Sequence, residues 1–548
     1  MAEDPSEEPP PSGKQPAPQA LPAYVRALLD PAAYPHHPDS VELIQTHISY
    51  VFLARDRVFK TKKPVDFGFV NQLDAETRHE YCLREVALNR RLASDVYLGV
   101  RPVVRLPDGR HVIASDATPE DAAIVEYAVE MRRLPDDRTL ASLLERDALP
   151  AGTIREIASL LVDFHERADR TPNDPSFAGV EGERGWWTRE QGEGAAFIGS
   201  TWDPNDATAL KSYANALIDR EAALFDRRLA DGRVVDGHGD LHAQHVYLLA
   251  QGLVIVDCIE FTDWFHFRYV DVGYDLAFLA MDLEARSHRE LADELAGRYV
   301  AAVGDETLSV LQPLHRAFRA FVRGKVESMG AHAPEVPAEQ QEALAASARR
   351  YFELASRFVR GVSEPLLIVL AGRSGTGKSL VGATLAARIG AAYVSSDVVR
   401  KTLAGVLPRE RVPEQRTAEV YGEAMTDRTY AEMRRRAMEH LAAGRPVVLD
   451  ATHSRTLDRS AALAVARESG VPALIAELCI TDDAALARIA ERARDPLATS
   501  DATAAVFQTQ ASRFEPITPS EGAHLALDAS QELSALVDEI VEELDEAE

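Results

Sequence analysis

The sequence predicts a multidomain protein that joins an α+β N-terminal part to an α/β C-terminal part. At 548 residues the chain is longer than one hydrophobic core usually supports. Its last third alternates apolar, strand-like runs with amphipathic helical stretches, a pattern that is typical of a parallel sheet. Those runs are PLLIVLAG, AAYVSSD, RPVVLDAT, PALIAELCI and HLALDAS. Before them, residues 41–329 begin with short β-type runs and become mainly helical, which indicates a small lobe followed by a larger one.

Changes of composition along the chain indicate the expected boundaries. Residues 1–20 combine prolines and acids with almost no large apolar side chain, so we expect a disordered tail. A first domain is expected over residues 21–330. Residues 331–362 carry prolines and then an alanine-rich helical pattern, which predicts a linker or bridging helix. A second domain is expected over residues 363–548, and its last segment has apolar residues at helical spacing and should dock on that domain.

Net charge and cysteine usage limit the class of protein. A formal net charge of −27 argues against nucleic acid or an anionic membrane as a partner, because both require a basic surface. The three cysteines are widely separated and form neither a disulfide framework nor a zinc pattern, which favours a cytoplasmic location. No apolar run is long enough to cross a bilayer and no apolar leader opens the sequence, so we expect no membrane span and no secretion signal. The sequence leaves the oligomeric state open.

The strongest motif is GRSGTGKS, which directly follows the apolar run LLIVLA. This spacing is typical of a P-loop, in which backbone N–H groups surround phosphate oxygens at the N-terminus of a helix. In such a loop the lysine reaches the β- and γ-phosphates of ATP, and the serine hydroxyl is a ligand of Mg²⁺. Lys378 is therefore also a predicted catalytic residue. The predicted nucleotide-binding residues are Gly372, Arg373, Ser374, Gly375, Thr376, Gly377, Lys378 and Ser379.

Other polar residues follow the remaining predicted strands, and open α/β sheets bind their ligands at this edge. Asp397, with Arg400 beside it, would place a carboxylate and a guanidinium next to an acceptor hydroxyl of the substrate. Asp450 ends the run PVVLD, where a carboxylate can hold magnesium. Arg488 and Arg492 lie at i,i+4 spacing on a predicted helix and would close over the transferring phosphoryl group. The alternatives are a helix cap for Asp397, a structural hydrogen-bond acceptor for Asp450 and a solvated helix face for the arginines.

Together these residues resemble the AAA-type small-molecule P-loop kinases, a group that includes gluconate kinase, the kinase domain of polynucleotide kinase and zeta-toxin-like proteins. The resemblance spans roughly residues 364–530. It implies that Asp397 orients or deprotonates an acceptor hydroxyl, that Arg488 and Arg492 belong to a lid, and that ATP and Mg²⁺ are the cofactors. It leaves the acceptor open, because pockets in this group are built from variable segments such as residues 401–430.

A second constellation lies in the N-terminal half, where HGDLHAQH precedes a predicted hairpin that ends in DCIEF. A carboxylate in a loop, two short strands and a second carboxylate form the catalytic arrangement of protein kinases. Asp240 would accept or orient an acceptor hydroxyl, and Asp257 would hold magnesium. The expected cation is Lys60 of an early strand, paired with Glu85 of the following helix. Lys62 is the alternative, because the register of that strand is open.

This half resembles the aminoglycoside phosphotransferase family over roughly residues 40–330, which implies a two-lobed, protein-kinase-like fold. By that resemblance residues 123–131 would be the hinge between the lobes that receives adenine. One position departs from the family: His245 stands where an asparagine usually binds magnesium. His245 is therefore a candidate metal-site residue, but its imidazole offers a nitrogen ligand whereas magnesium prefers oxygen.

We therefore expect an ATP-dependent phosphotransferase with two candidate active sites, each of which transfers a γ-phosphoryl group to a hydroxyl of a small molecule. The alternative is a nucleotide-binding regulatory protein in which the N-terminal kinase-like domain is degenerate. A third hypothesis, a toxin-like kinase that acts on a cell-wall precursor sugar, follows from the zeta-toxin likeness alone.

Overall fold

The computed structural model describes residues 21–68, 70–170, 178–261, 268–334, 336–361, 364–511 and 513–546. The tail predicted at residues 1–20 and the boundary predicted at residue 363 lie outside these ranges. The strands are β1 Glu42–Gln45, β2 Ser49–Ala54, β3 Arg57–Lys62, β4 Tyr97–Arg105, β5 His111–Ile113, β6 Ala123–Arg132, β7 Val234–Asp236, β8 Val246–Leu249, β9 Gly252–Ile255, β10 Tyr269–Asp271, β11 Leu367–Ala371, β12 Ala392–Ser395, β13 Val447–Asp450, β14 Ala473–Cys479 and β15 His524–Asp528.

The helices are α1 Ala23–Ala27, α2 Ala75–Ala93, α3 Leu140–Glu145, α4 Thr153–Arg167, α5 Gly179–Gly194, α6 Pro204–Arg220, α7 Ala222–Ala230, α8 Val272–Ala285, α9 Arg289–Val303, α10 Leu308–Ala331, α11 Ala338–Arg360, α12 Lys378–Ile389, α13 Ser396–Leu403, α14 Thr417–Val420, α15 Glu423–Ala442, α16 Thr456–Ser469, α17 Asp482–Arg492, α18 Ala504–Ala511 and α19 Leu533–Glu546. Across the described ranges, none of these helices is both long enough and apolar enough to span a membrane.

The chain divides into two compact units. The first contains the residues up to Ala148 together with Gln244–Arg268, and the second contains Leu149–Ala243 and Tyr269–Glu548. The sheet of β1 to β6 and helix α3 therefore belong to the first unit, whereas the helices from α4 onward belong to the same unit as the C-terminal sheet. The domain limits at residues 21–330 and 363–548 are read from sequence alone and remain a prediction.

The first unit is built on a six-stranded antiparallel sheet in the order β1-β2-β3-β6-β4-β5. Alternation along β2 and β3 places Phe52 opposite Phe59, and both side chains are buried in one apolar cluster with Tyr34. Helix α2 packs against β4 and β6. It begins after the N-cap Asp74, whose side chain accepts a hydrogen bond from the Thr77 N–H at 2.8 Å.

Residues 123–131, expected as the hinge between the lobes, lie within a strand of the sheet. They lie in β6, which pairs antiparallel with β3 on one side and with β4 on the other. Val129, for example, lies opposite Lys60 on one edge and opposite Val100 on the other. The backbone of residues 128–131 is therefore paired on both sides, whereas β3 does not extend along residues 123–127, and the adenine-binding role of the segment stays a prediction. The hairpin predicted before Asp257 is confirmed, because β8 and β9 pair antiparallel.

The second unit contains the predicted parallel sheet, which is therefore confirmed. Its five strands have the order β12-β13-β11-β14-β15, and all neighbours are parallel. Every residue of the central strand β11 is buried, as expected for a strand covered on both faces. Asp450 is in register with Leu370 of β11 and with Ser395 of β12. The residues that follow these three strands therefore meet at one edge of the sheet.

The helices that precede this sheet share an apolar core with it. Phe318 of α10 and Phe352 of α11 belong to the same buried cluster as Val369 of β11. Helix α9 lies directly on α12, since a Cβ at Gly297 would come within 2.0 Å of Thr384 Oγ1. The predicted bridging helix is thus α11, which packs along α10 as part of this core.

The C-terminal helix α19 docks on the second unit, as its apolar spacing predicts. Leu536, Val537 and Ile540 are buried, and the helix packs against α9 and α12. The helix therefore adds a further contact between the P-loop helix and the segment that contains α9.

Candidate nucleotide-binding site

The GRSGTGKS motif joins the carboxyl end of β11 to the amino end of α12. Gly375 and Gly377 have φ angles of 84° and 98°, in the left-handed region that favours glycine. The loop also has no room for a side chain at two of its glycines. A Cβ at Gly372 would lie 2.6 Å from the Leu478 carbonyl oxygen, and a Cβ at Gly375 would lie 2.5 Å from the Ala485 carbonyl oxygen. The motif thus forms the tight turn that presents backbone N–H groups to an anion at a helix N-terminus.

Lys378 begins α12, and its side chain folds back over the loop. The Nζ donates to the Arg373 carbonyl oxygen at 2.8 Å and lies 3.4 Å from Thr376 Oγ1. Burial lowers the pKa of Lys378 to about 8, although the Asp450 carboxylate favours the charged form. The ammonium group is therefore short of counter-charge in this site, and phosphate oxygens would supply it.

Asp450 ends β13 beside the first turn of α12. The Tyr393 hydroxyl donates to Asp450 Oδ2 at 2.6 Å. Burial raises the pKa of Asp450, while the charge of Lys378 and hydrogen bonds from the Tyr393 and Ser379 hydroxyls oppose the rise. A carboxylate next to a hydroxyl is an oxygen donor set that suits Mg²⁺, so Ser379 and Asp450 fit the predicted metal site. Asp450 is also a structural hydrogen-bond acceptor, as the alternative predicts, because its Oδ2 accepts the hydrogen bond from the Tyr393 hydroxyl.

Asp397 and Arg400 lie on α13, which follows β12. The N-cap residue of this helix is Ser395, so Asp397 lies within the first turn and is not the cap. Arg400 donates through Nη1 to the Val420 carbonyl oxygen and to Thr426 Oγ1, each at 3.1 Å. These contacts fix its guanidinium group against the segment that leads into α15. Its role toward a substrate stays a prediction.

Arg488 and Arg492 lie on α17, the predicted lid helix. Arg488 donates through Nη1 to the Thr376 carbonyl oxygen at 3.1 Å and through Nη2 to that of Ala529 at 2.8 Å. Arg492 donates to the Ala502 carbonyl oxygen at 3.2 Å, and burial lowers the pKa of its guanidinium although Asp397 opposes the shift. Both guanidinium groups are thus held by backbone carbonyls, that of Arg488 at the phosphate loop and that of Arg492 at Ala502. Arg488 is nevertheless an exposed residue, so the solvated-face alternative stays open for it, whereas Arg492 is partly buried.

These residues line one cavity of about 1410 Å³. Pockets for one drug-sized ligand occupy roughly 300–1,000 Å³, so this cavity has room for a nucleotide and a second molecule. The predicted residues on its wall are Ser374, Gly375, Thr376, Gly377, Lys378, Ser379, Asp397, Arg400, Asp450, Arg488 and Arg492. The Arg373 side chain is engaged elsewhere, over the Phe507 ring at 4.7 Å and on Asp482 at 2.5 Å.

Many residues of this cavity lie outside every sequence motif, and three of them are Gln510, Arg155 and Arg298. Gln510 Oε1 accepts a hydrogen bond from the Ser374 N–H at 2.8 Å. Arg155 of α4 and Arg298 of α9 belong to the wall of the same cavity. Only the packing of distant segments brings them to the P-loop, so no local pattern predicts them.

The first unit contains a buried charge network around Glu85. Lys60 and Lys62 lie two residues apart on β3 and so face α2 from the same side of the strand. Lys60 Nζ lies 2.9 Å from Glu85 Oε1 and 3.0 Å from Asp257 Oδ1, and Lys62 pairs with Glu85 and Glu260. Burial disfavours the charge on both lysines, but the carboxylates outweigh it and raise the pKa of each. The predicted pair Lys60–Glu85 is present, and Lys62 shares the same carboxylate.

Replacement of Glu85 by glutamine should destabilise the first unit by about 3 kcal/mol, because it removes the negative charge that two buried ammonium groups share. Lys62 is fully buried and cannot turn to solvent. Hydrogen exchange of the β3 and α2 amides measures the effect. Glu80→Gln, on an exposed face of the same helix, is the matched control. Equal protection in the two variants would contradict the importance of the network.

Asp257 follows β9 and is the predicted magnesium ligand of the first unit. It has a φ angle of 69°, which is uncommon for a residue other than glycine, and its N–H donates to the Tyr97 hydroxyl at 3.2 Å. His245 Nε2 lies 3.6 Å from Asp257 Oδ2. An imidazole beside the carboxylate does not fit the all-oxygen set that magnesium prefers. Asp240, the predicted partner of Asp257, belongs to the second unit, so their approach stays a prediction.

Asp240 lies in a loop that a buried carboxylate holds in shape. The backbone N–H groups of His238 and Gly239 donate to Asp275 at 2.7 Å and 2.9 Å. Burial raises the pKa of Asp275, but its contacts with His165 and His238 outweigh burial and hold that pKa well below its usual range. The side chain therefore stays ionised and anchors the loop that contains Asp240.

The fold and the phosphate loop together define a P-loop nucleotide-binding protein. A family described as an AAA domain matches residues 367–517, from the first residue of β11 to a point beyond α18. The chain is 32% identical over 479 residues to Uncharacterized protein Rv2004c of Mycobacterium tuberculosis (strain ATCC 25618 / H37Rv) and to Uncharacterized protein Mb2027c of Mycobacterium bovis (strain ATCC BAA-935 / AF2122/97). Each match covers 86% of this chain and 90% of the relative. The chain therefore belongs to the same family as these mycobacterial proteins.

Solved structures give more distant likenesses. A gluconokinase from Sinorhizobium meliloti 1021 is 21% identical, with 33% of this chain and 95% of that chain covered and a TM-score of 0.22. A choline/ethanolamine kinase family protein from Mesorhizobium loti is 12% identical, with 61% and 98% covered and a TM-score of 0.34.

Proposed function

We propose that the P-loop site belongs to an ATP-dependent kinase that transfers the γ-phosphoryl group to a hydroxyl of a small molecule. One observation carries this proposal: a single cavity contains the phosphate loop, an oxygen pair suited to magnesium and the Asp397 carboxylate, with room for a second molecule. A nucleotide switch needs the loop and the metal. The carboxylate and the additional space favour transfer to an acceptor.

The residues would divide the work as follows. Lys378 and the loop N–H groups bind the β- and γ-phosphates. Ser379 and Asp450 would hold Mg²⁺, which when bound neutralises phosphate charge. Asp397 takes the proton of the acceptor hydroxyl while the hydroxyl oxygen attacks the γ-phosphorus and ADP leaves. Arg488 and Arg492 of α17 stabilise the negative charge that spreads over the oxygens of the transferring phosphoryl group.

An ATP-consumption screen tests the proposal. The intact chain, Lys378→Ala and Asp240→Ala are assayed in parallel against sugars, sugar acids, nucleosides and aminoglycosides. We expect at least one acceptor to raise ADP formation in the intact chain and in Asp240→Ala, and to fail in Lys378→Ala. If ATP binds but no acceptor in the panel stimulates turnover, the regulatory alternative becomes the leading hypothesis.

A second candidate function is nucleotide sensing by the N-terminal kinase-like part. The observation in its favour is the environment of Asp257, which contacts both Lys60 and His245. A lysine paired with glutamate beside an acid is the nucleotide-binding arrangement of kinases, whereas the imidazole disfavours magnesium and turnover. Acceptor-dependent turnover that is lost in Asp240→Ala but kept in Lys378→Ala would contradict the sensing role and assign a second kinase activity to that part.

The affinity for ATP should fall as the pH rises above about 8. The empty site holds Lys378 with its pKa lowered to about 8, and bound phosphate favours the charged form. Binding above that pH is therefore linked to proton uptake, and the dissociation constant should rise up to about tenfold per pH unit. Calorimetric titration with ATP and Mg²⁺ between pH 7 and 9.5 measures this. Lys378→Ala should bind weakly without that slope, and a flat profile in the intact chain would contradict the coupling.

A further inference from the structure

Part of the cavity wall comes from helices that precede the P-loop segment. Arg155 of α4 and Arg298 and Ala301 of α9 line the cavity, although residues 367–517 contain the whole match to the AAA domain. These helices belong to the same compact unit as the sheet. Helix α9 packs closely on α12, whose first residue is Lys378. Its position relative to the phosphate loop is therefore fixed by the core.

The two arginines reach the lid. Arg155 Nη1 lies 2.7 Å from Glu491 Oε1 at the end of α17. Arg298 Nη1 lies 3.6 Å from Asp495 Oδ2 just beyond that helix, while its Nε donates to Glu294 at 2.7 Å. The two acids lie on either side of Arg492 in the sequence. The preceding helices therefore hold the same stretch of chain that carries the lid arginines.

Two further ion pairs, in which α4 supplies the acids, join α4 to the segment of residues 401–430, which lines another part of the cavity. Arg409, in the variable segment predicted to shape the acceptor pocket, donates to Asp163 at 3.0 Å and also pairs with Glu166. The same segment also contacts the chain that follows the lid helix, because Arg411 donates to Asp501 at 3.1 Å. Helix α4 thus carries a cation for the lid and two acids for the acceptor segment. This complementarity favours one relative position of the two segments.

We infer that α4 and α9 hold the lid of the P-loop site closed through the pairs Arg155–Glu491 and Arg298–Asp495. The two arginines are positioning residues, which act on the reaction through the placement of Arg488 and Arg492. The inference rests on the proposed function, since a lid matters where the loop binds ATP. Ion pairs at an exposed rim are of modest strength, which suits contacts that break each time a lid opens to release product.

Charge reversal tests the pairs on the full chain. Arg155→Glu and Glu491→Arg should each speed hydrogen exchange of residues 482–495 about two- to fivefold in the absence of nucleotide, and should weaken ATP binding by a similar factor. The double variant, which restores the pair in the opposite sense, should return both quantities toward those of the intact chain. Arg298→Asp with Asp495→Arg forms the second cycle.

Arg435→Glu is the matched control. Arg435 forms an exposed pair with Glu439 on α15, away from the cavity lining. It should leave exchange of residues 482–495 and ATP binding unchanged. Unchanged lid exchange in all single reversals, or a double variant no closer to the intact chain than its parents, would overturn the inference. Absence of ATP-dependent turnover in the intact chain contradicts the proposed kinase instead, because the exchange measurement needs no nucleotide.

Discussion

Replacement of Lys378 by alanine should reduce acceptor-dependent turnover at the P-loop site by about 10³-fold or more without unfolding the second unit. An arginine that reaches the transferring phosphoryl group is worth about 10³–10⁵ in rate in enzymes of this reaction type, and we expect an effect at the lower end of that range for the P-loop lysine. The side chain donates only within its own loop in the described structure, to Arg373 and Thr376. Since burial lowers its pKa, its removal relieves a poorly compensated charge, and the melting temperature should stay the same or rise.

The measurement pairs ADP formation with thermal unfolding for the same preparations. Lys211→Ala removes an exposed lysine on α6 and serves as the control, with wild-type values expected for both quantities. Full activity in Lys378→Ala would show that the P-loop site does not catalyse the kinase reaction. A joint fall of turnover and melting temperature would show that Lys378 supports the fold rather than the reaction.

The C-terminal sheet could be predicted from sequence because three of its strands, β11, β12 and β13, are buried along their whole length. Each strand is then a continuous apolar run, and each ends at a polar residue or at the glycine motif. Parallel pairing brings those ends together, so Asp450 and the residues after β11 and β12 meet without any further information. A local pattern and one topological rule are sufficient for this part of the site.

The residues that complete the cavity could not be predicted in this way. Arg155 and Glu491 are 336 positions apart in the chain, and only the packing of α4 beside the lid brings them together. The same applies to the bridging helix, where prolines before α11 indicated a linker but the helix itself joins the common core. The amino-acid composition of a segment indicates where the chain can bend, but it does not indicate which helices pack into the same core.

The N-terminal half shows a different limit. The segment 123–131 alternates as a strand, but Glu126 falls at a buried position and interrupts that pattern; in the fold it pairs with Arg78 at 2.8 Å. The choice between Lys60 and Lys62 could not be made from strand periodicity, because residues two apart share a face. The structure uses both lysines on one glutamate. Buried charge pairs of this kind depend on partners from other elements, which a strand pattern does not reveal.

Replacement of Asp397 by asparagine should lower the turnover number by about 10²–10⁴-fold while the affinity for ATP stays within about twofold, because the amide keeps the shape of the side chain but cannot accept the acceptor proton. Asp397 lines the cavity with Lys378 and lies in the first turn of α13, where it is not the N-cap. Its loss therefore removes no cap from the helix.

The chain offers a closely matched control for this substitution. Asp483 occupies the same position after the N-cap of α17 as Asp397 does in α13, but it is exposed and outside the cavity lining. Asp483→Asn should keep full turnover, which separates the effect of a carboxylate near a helix N-terminus from that of a base in the site. If both variants lose turnover equally, or if Asp397→Asn loses ATP affinity instead, the carboxylate acts on structure or on nucleotide binding. If Asp397→Asn alone loses turnover at unchanged ATP affinity, the acceptor hydroxyl lies against Asp397, and the screen for acceptors can be directed to the cavity between α13 and the lid.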